Sequence, residues 1–314
     1  MGWKETMPDV SILILTKNGA DTISPLLHAV FSQKKVRINE VIVVDSGSSD
    51  ATLQIAGGFP VQIEEISAES FHHARTRNLA ASLASGEILV FLSQDAIPAS
   101  DVWLQAMLEN FSDPKVGAVY GRQIPKLDSS TERQDVLDAI YGEHRIVKDP
   151  SLGNQIGYRF YHFSDANAAL RRSVWVATPY PEDLKVFEDL AIAKRILDAG
   201  WKIVYEPKAC VLHSHRHSTK DLFKRYFDIG YTLRYLKIWN SPGIGFSMFR
   251  DARKLLRNKL NRARIRGSGR SASGLAQDVA KSVGLFLGLN QACIPLALKR
   301  HLSANGIYER NEVN

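Results

Sequence analysis

The sequence predicts a Rossmann-like α/β fold, a mostly parallel sheet with helices on both faces over residues 1–240, followed by a basic helical region over residues 241–314. Three observations predict it. Short, near-continuous apolar runs alternate with stretches of helical spacing through residues 10–120, the pattern of strands joined by crossover helices. A hydroxyl or an acid stands at the carboxyl end of three of those runs: Thr16, Asp45 and Asp95. From about Asn240 the composition turns basic and helical.

The elements follow in order. Residues 10–15 (VSILIL) are apolar almost throughout, as a strand buried on both faces must be, and Thr16-Lys17-Asn18-Gly19 follows as a loop. Residues 22–31 have helical spacing. Residues 40–44 (EVIVV) form a second strand that ends on Asp45-Ser46-Gly47-Ser48-Ser49-Asp50, and residues 51–56 fit a short helix. A third strand spans 61–66, a helix 74–83, and a fourth strand 87–92 (EILVFL) that runs into Ser93-Gln94-Asp95. Residues 103–111 read as helix and 116–120 as strand. Beyond Gly121 the pattern loosens, with one candidate helix over 134–144. Residues 186–199 are a clear helix, since Leu190, Ala193 and Leu197 share a face and Gly200 stops it, and 201–205 return to strand. In a sheet of this kind ligands bind beyond the carboxyl ends of the strands, where Thr16, Asp45 and Asp95 fall.

Charge narrows the function classes. The 314 residues include 40 Lys or Arg and 33 acids, a net charge of +7, with 45% hydrophobic and 23% charged residues, which is globular composition and excludes a disordered tail or a fibrous repeat. Residues 250–270 hold nine Lys or Arg and one acid, a local balance of +8 that leaves −1 for the rest. The surplus therefore points to a local anionic partner. Cys210 and Cys293 cannot build a disulfide framework, which favours a reducing compartment. Residues 1–9 carry no apolar signal region, and the apolar stretch 282–298 is broken by Asn290, Gln291 and Pro295, short for a membrane-spanning helix. These features predict a cytoplasmic, soluble chain.

Several residues could carry chemistry. Asp45, at a strand end before a Gly/Ser turn, can accept hydrogen bonds from a nucleobase or ribose edge; the plainer alternative is that Asp45 and Asp50 cap turns. Asp95 can give a hard oxygen ligand to a divalent cation that bridges phosphates, or simply close a turn. In His213-Ser214-His215-Arg216-His217 the histidines alternate, so on an extended segment they face one side, and an imidazole could complete a metal site with Asp95. Arg75 and Arg77 open a helix, where the macrodipole opposes cations; a diphosphate placed there would answer them, or they lie on a solvated face. Glu188 and Asp189 begin the clear helix of the second half. Either is an ordinary first-turn acid or a general base for an acceptor hydroxyl, with a pKa that the helix end keeps low.

Taken together and in this order, VSILILTKNG, VIVVDSGSSD, ARTRN, the aspartate-bearing strand end and VFEDLAIAKRI resemble the GT-A family 2 inverting glycosyltransferases, over about residues 8–235. FHHARTRNLA, LSQDAIP, VYGRQIP, HSHRHS and FKRYFDIG look like the bacterial rhamnosyltransferase branch. The resemblance implies a GT-A fold in which Thr16, Asn18, Asp45 and Ser46 hold the nucleoside, while Arg77 and Gln94 contact the nucleotide or its diphosphate. It implies Mg²⁺ or Mn²⁺ on Asp95, with His213 or His215 as second ligand, Asp165 and Asn167 at the sugar or acceptor site, and Asp189 as base with Glu188 beside it. The family's usual metal motif is Asp-any-Asp, and Ser93-Gln94-Asp95 keeps only the last acid, as that branch also does. The donor implied is dTDP-β-L-rhamnose, or a UDP-sugar in the wider family, and the acceptor is a glycan or lipid-linked glycan.

Phe249, Ala252, Leu256, Leu260 and Ala263 recur at helical spacing with Arg250, Arg253, Lys254, Arg257 and Arg264 between them, so residues 249–270 form a basic amphipathic helix suited to an anionic membrane surface on the inner face of the cell. The alternatives are a helix packed on the catalytic domain, or a homo-oligomer contact through Leu285, Phe286, Leu287 and Leu289. Nucleic-acid binding is disfavoured because residues 250–270 include no aromatic residue and the remainder is near neutral. A catalytically dead glycan-binding module is disfavoured by the retained acids. A sugar-phosphate nucleotidyltransferase would need a Gly-rich loop after the first strand, which is missing.

Overall fold

The computed structural model describes residues 8–126, 141–152, 158–184, 186–213, 217–238 and 272–305. The chain divides into two compact units, residues 1–214 and 215–314. The division falls ahead of the composition shift at Asn240, because the helix that precedes that shift packs with the helices that follow it.

The first unit is built on a nine-stranded sheet in the order β3-β2-β1-β4-β8-β6-β9-β5, with β7 paired to β9. Its strands are β1 (Val10–Thr16), β2 (Ile38–Asp45), β3 (Gln62–Glu65), β4 (Ile88–Ser93), β5 (Ile97–Pro98), β6 (Val116–Ile124), β7 (Ile146–Lys148), β8 (Asn167–Arg171) and β9 (Lys202–Leu212). β1, β2, β3, β4, β6 and β9 run one way. β8 is inserted antiparallel between β4 and β6, and β5 and β7 are antiparallel to β9. The helices of this unit are α1 (Ala20–Phe31), α2 (Thr52–Ala56), α3 (His73–Leu83), α4 (Trp103–Leu108), α5 (Tyr158–Tyr161), α6 (Arg172–Ala177) and α7 (Glu188–Asp198). Tyr141–His144, the described end of the helix expected over 134–144, is not helical, and the rest of that stretch lies outside the described residues.

Period-two alternation of the strands feeds two cores. Val10, Ile12 and Ile14 pack with Ile23, Leu26, Leu27 and Val30 of α1 and with Trp103, Leu104 and Met107 of α4. Leu13, Leu89 and Phe91 face the other way, toward Ala80 and Ala81 of α3 and Ile192, Ile196 and Leu197 of α7. α7 stops as its sequence requires: Gly200 has φ of 87°, and its N–H and that of Trp201 return to the carbonyls of Leu197 and Ile196.

The second unit holds α8 (Thr219–Tyr235), α9 (Ala272–Leu289) and α10 (Leu296–Leu302). α8 opens on a capping box between Ser218 and Asp221. α8 and α9 touch backbone to backbone: a Cβ on Gly284 would lie 2.3 Å from the Phe223 carbonyl oxygen, and one on Gly288 2.0 Å from that of Phe227. Asp228 of α8, fully buried, accepts from the Ala304 N–H at 3.0 Å and Asn305 Nδ2 at 2.9 Å, which ties down the chain after α10. The basic amphipathic segment at 249–270 lies outside the described residues. No described helix is long and apolar enough to cross a membrane.

Candidate active site

The site is assembled in the first unit, at the carboxyl edge of β1, β2 and β4. Thr16 and Asp45 are ladder partners at the ends of β1 and β2. Thr16 Oγ1 donates to Asp45 Oδ2 at 2.9 Å, and the Ser48 N–H and hydroxyl donate to the same carboxylate at 2.8 and 2.5 Å. Asp45 is fully buried, so it is the staple of this turn, and Ser46 is buried behind it. Asn18 takes a left-handed φ of 48°; its N–H donates to Ser48 Oγ, and its Oδ1 accepts from the Ser49 N–H at 2.9 Å. Gln94 clamps the first loop from β4, its Oε1 accepting from the Lys17 N–H at 2.9 Å and its Nε2 donating to the Lys17 carbonyl at 3.1 Å. A Cβ at Gly19 would sit 2.5 Å from Gln94 Oε1, so a side chain there would push the Gln94 amide out of this clamp. What this edge presents to solvent is Lys17, Asn18, Gly47 and Ser49.

Asp95 lies in the turn just past β4, where the Ala96 N–H closes onto the Ser93 carbonyl. His213 follows β9 directly, and its N–H donates to the Ile124 carbonyl of β6. These supports bring His213 Nε2 to 3.3 Å from Asp95 Oδ1. The other ring nitrogen is anchored, with Nδ1 2.8 Å from Gln123 Oε1. A carboxylate oxygen beside an imidazole nitrogen held from behind is a donor set that suits Mg²⁺ or Mn²⁺ with phosphate oxygens and water filling the remaining positions. Among the described residues no group of three or more His, Cys, Asp or Glu could hold a metal without such help.

A second cluster joins α3, the segment before β8, and the start of α7. Arg77 Nη1 donates to Glu188 Oε1 at 2.6 Å and to the His73 carbonyl at 3.3 Å. Arg77 Nε lies 2.8 Å from Asp165 Oδ2, a close ion pair without hydrogen-bond alignment. Tyr180 backs the guanidinium, 5.9 Å from its ring centre. Burial opposes the arginine's charge, yet Asp165 and Glu188 hold its pKa above the ordinary value. Burial pushes Asp165 up to about 6, with Arg77 pulling it down and Glu188 pushing it further up. Asp189 is raised well above the carboxylate range by burial and then by Asp165 and Glu188, although the Leu190 N–H donates to its Oδ1 at 2.7 Å. Three acids thus share one arginine, and Asp189 is the one to which no ion pair with Arg77 is made. Phe187, at φ of 59°, turns the chain sharply into α7, so that adjacent Glu188 and Asp189 meet different surroundings.

Three expectations are corrected by this geometry. Asn167 is fully buried: its Oδ1 accepts from Trp103 Nε1 at 2.9 Å and its Nδ2 donates to the carbonyls of Ala209 at 2.8 Å and Arg122 at 3.3 Å. It fastens β8 to its neighbours and has no group left for a sugar. The pKa of Asp189 is not kept low by the helix end, because burial and two neighbouring acids outweigh the dipole. The first-turn arginine Arg77 is answered here by Asp165 and Glu188. His215 lies outside the described residues. Gln123, Tyr141 and Ser164 were not singled out by the sequence reading, and nothing local in their segments marks them.

A sequence model described as Glycosyl transferase family 2 matches residues 11–176. The chain is 32% identical to the O-antigen chain rhamnosyltransferase WbaN of Salmonella anatum, with 97% of each chain covered, and 30% identical to the O-antigen chain rhamnosyltransferase RfbN of Salmonella typhimurium, with 96% of each covered. Its fold is similar to that of the mannosyltransferase PcManGT from Pyrobaculum calidifontis, solved in complex with GDP-Man and Mn²⁺, at a TM-score of 0.60 and 18% identity, over 95% of this chain and 86% of that one.

Proposed function

The chain belongs to glycosyl transferase family 2 and is a glycosyltransferase, and from that premise we propose that it moves L-rhamnose from dTDP-β-L-rhamnose to a hydroxyl of a glycan acceptor during cell-surface polysaccharide synthesis. The sugar and acceptor class are supported by the two near-full-length relatives named as O-antigen chain rhamnosyltransferases. The observation that carries the chemistry is the pair of clusters in one unit: an oxygen–nitrogen pair at Asp95 and His213, and an acid of raised proton affinity at Asp189.

In this reading Thr16, Asn18, Asp45 and Ser46 frame the nucleoside through the stapled turn, with Gln94 setting the loop. Asp95 and His213 are the residues that would hold Mg²⁺ or Mn²⁺, which supplies charge neutralisation to a departing diphosphate. His215 stays an alternative second ligand. The acceptor hydroxyl attacks the anomeric carbon on the face opposite the diphosphate. The new carbon–oxygen bond forms as the bond to the diphosphate breaks, and Asp189 takes the hydroxyl proton. One displacement inverts the centre, so a β-linked donor gives an α-rhamnoside. Arg77 keeps Glu188 and Asp165 in place beside that base, and Asp165 lines the acceptor side. We place the enzyme in the cytoplasm, peripheral on the inner membrane face through residues 249–270, where a lipid-linked acceptor would be met.

A donor screen tests this. dTDP-β-L-rhamnose, UDP-glucose, UDP-N-acetylglucosamine and GDP-mannose are each incubated with the enzyme and Mn²⁺, and nucleoside diphosphate release is measured. Turnover of dTDP-rhamnose above the others is expected. Turnover of a UDP-sugar with dTDP-rhamnose inert would overturn the donor assignment.

A further inference from the structure

Gln123 is placed where the two clusters meet. The β6–β9 pairing shifts register between Gly121 and Gln123, a bulge of the kind that re-aims a side chain beside a site. Gly121 is obligatory in that bulge, because a Cβ would lie 1.9 Å from the Ala209 carbonyl oxygen. The re-aimed Gln123 is 6% exposed, and both ends of its amide are used. Its Oε1 lies 2.8 Å from His213 Nδ1, and its Nε2 donates to Tyr141 Oη at 2.8 Å and Ser164 Oγ at 2.9 Å. Ser164 precedes Asp165 of the acid cluster.

We infer that Gln123 is a positioning residue for the cation seat, one that fixes the tautomer of His213 and ties that ring to the acceptor side. With its amide nitrogen committed to two hydroxyls, Gln123 offers His213 only a carbonyl-type oxygen. An imidazole bound to it carries a proton on Nδ1 and, when a cation sits beside Asp95, has the Nε2 lone pair to give it. A partner that sets both ring orientation and tautomer is what a histidine ligand needs from behind. Because Tyr141 and Ser164 share the amide, a shift of the ring is felt one residue from Asp165. The part concerning cations rests on the proposed role of Asp95 and His213; the part concerning the tautomer does not.

The test has two independent readouts on the full-length protein. First, ¹⁵N NMR of histidine-labelled, metal-free enzyme, with His213 assigned through His213→Gln, reports which ring nitrogen bears the proton. A proton on Nδ1 is expected in the wild type, and a mixture or the Nε2–H form in Gln123→Leu. A wild-type ring in the Nε2–H form, or a tautomer unchanged in Gln123→Leu, would overturn the inference. Second, Mn²⁺ alone is titrated and read by electron paramagnetic resonance in the wild type, Gln123→Leu, Gln123→Glu and Asp95→Asn. About a 10-fold weakening in Gln123→Leu is expected. Recovery is expected in Gln123→Glu, whose carboxylate can still accept from Nδ1. Unweakened binding in Gln123→Leu alongside weakened binding in Asp95→Asn defeats the role of Gln123 and leaves the cation seat standing. Binding that Asp95→Asn leaves intact defeats the cation seat. Thermal melting identifies any variant that fails to fold, and Tyr141→Phe, which keeps the ring and removes one partner of the amide, is then expected to weaken Mn²⁺ binding in the same direction; unchanged binding there would count against the inference.

Discussion

Replacing Arg77 with Met removes the arginine of the acid cluster and keeps most of the side-chain volume. Its contacts to Asp165 and Glu188 measure 2.8 and 2.6 Å, and all three residues are buried. Breaking such a pair from one side costs about 3–5 kcal/mol, since the acids keep their burial and lose their partner. Asp165, already at about 6, rises further once Arg77 no longer holds it down, an adjacent arginine being worth a lowering of about 1–3 in pKa. A carboxyl whose pKa is higher folded than unfolded takes up a proton on folding, so its contribution is intact at low pH and is lost as pH rises through the folded value. Arg77→Met is therefore expected to lose about 3–5 kcal/mol at pH 8 and less at pH 5.5, with roughly 1.4 kcal/mol separating the two for each step of one in pKa. Urea unfolding followed by tryptophan fluorescence at both pH values measures this. The same loss at pH 5.5 and pH 8, or a loss under about 1 kcal/mol at pH 8, would refute the claim that Arg77 neutralises buried acids. In kinetics the acid limb of kcat/KM should move to higher pH in Arg77→Met and return part of the way in Arg77→Lys.

The other predictions are shorter. Wild-type kcat/KM should fall as pH drops through a value above the ordinary carboxylate range, because the raised group must be deprotonated to accept a proton, and Asp189→Asn should lower kcat/KM at least ~10²-fold above that limb; a limb near pH 4 would show that burial does not raise the base, and an Asn variant with wild-type turnover would remove Asp189 as base. Asn167→Leu strands Trp103 Nε1 and the Ala209 carbonyl and should cost about 2–4 kcal/mol of stability with kcat per folded molecule unchanged, whereas a fall in kcat at unchanged melting temperature would restore Asn167 to the acceptor site. Gly288→Ala forces α8 and α9 apart, since its Cβ would lie 2.0 Å from the Phe227 carbonyl oxygen, and should cost about 1–3 kcal/mol; a melting temperature equal to wild type would show that the backbones do not touch.

The parallel half of the sheet was legible because β1, β2 and β4 are buried on both faces and so are written as unbroken apolar runs. β8 was missed for the complementary reason. Asn-Ala-Ala-Leu-Arg has neither alternation nor β-branched residues, and its strand state is enforced by β4 and β6, which flank it. In the site, strand-end acids could be read locally, and family resemblance supplied Asp165 and Asp189. The Gln123 network could not be read, since its amide joins His213 across 90 positions and Ser164 across 41. Arg77 shows the limit from the other side. The dipole argument offered a diphosphate or a solvated face for it, and nothing in that segment announces that Asp165 and Glu188 arrive there from later in the chain.

The left-handed Phe187 sets two aims of protein engineering against each other. A bulky residue at φ of 59° costs about 1–2 kcal/mol of backbone energy, a strain that Phe187→Gly would relieve at the expense of a half-buried ring. Glycine would also let the chain enter α7 in several ways, and only one of them delivers Glu188 to Arg77 while leaving its neighbour available. Descendants in which that strain has been relieved would then be slower catalysts, and the strain at Phe187 is what selection for turnover would preserve.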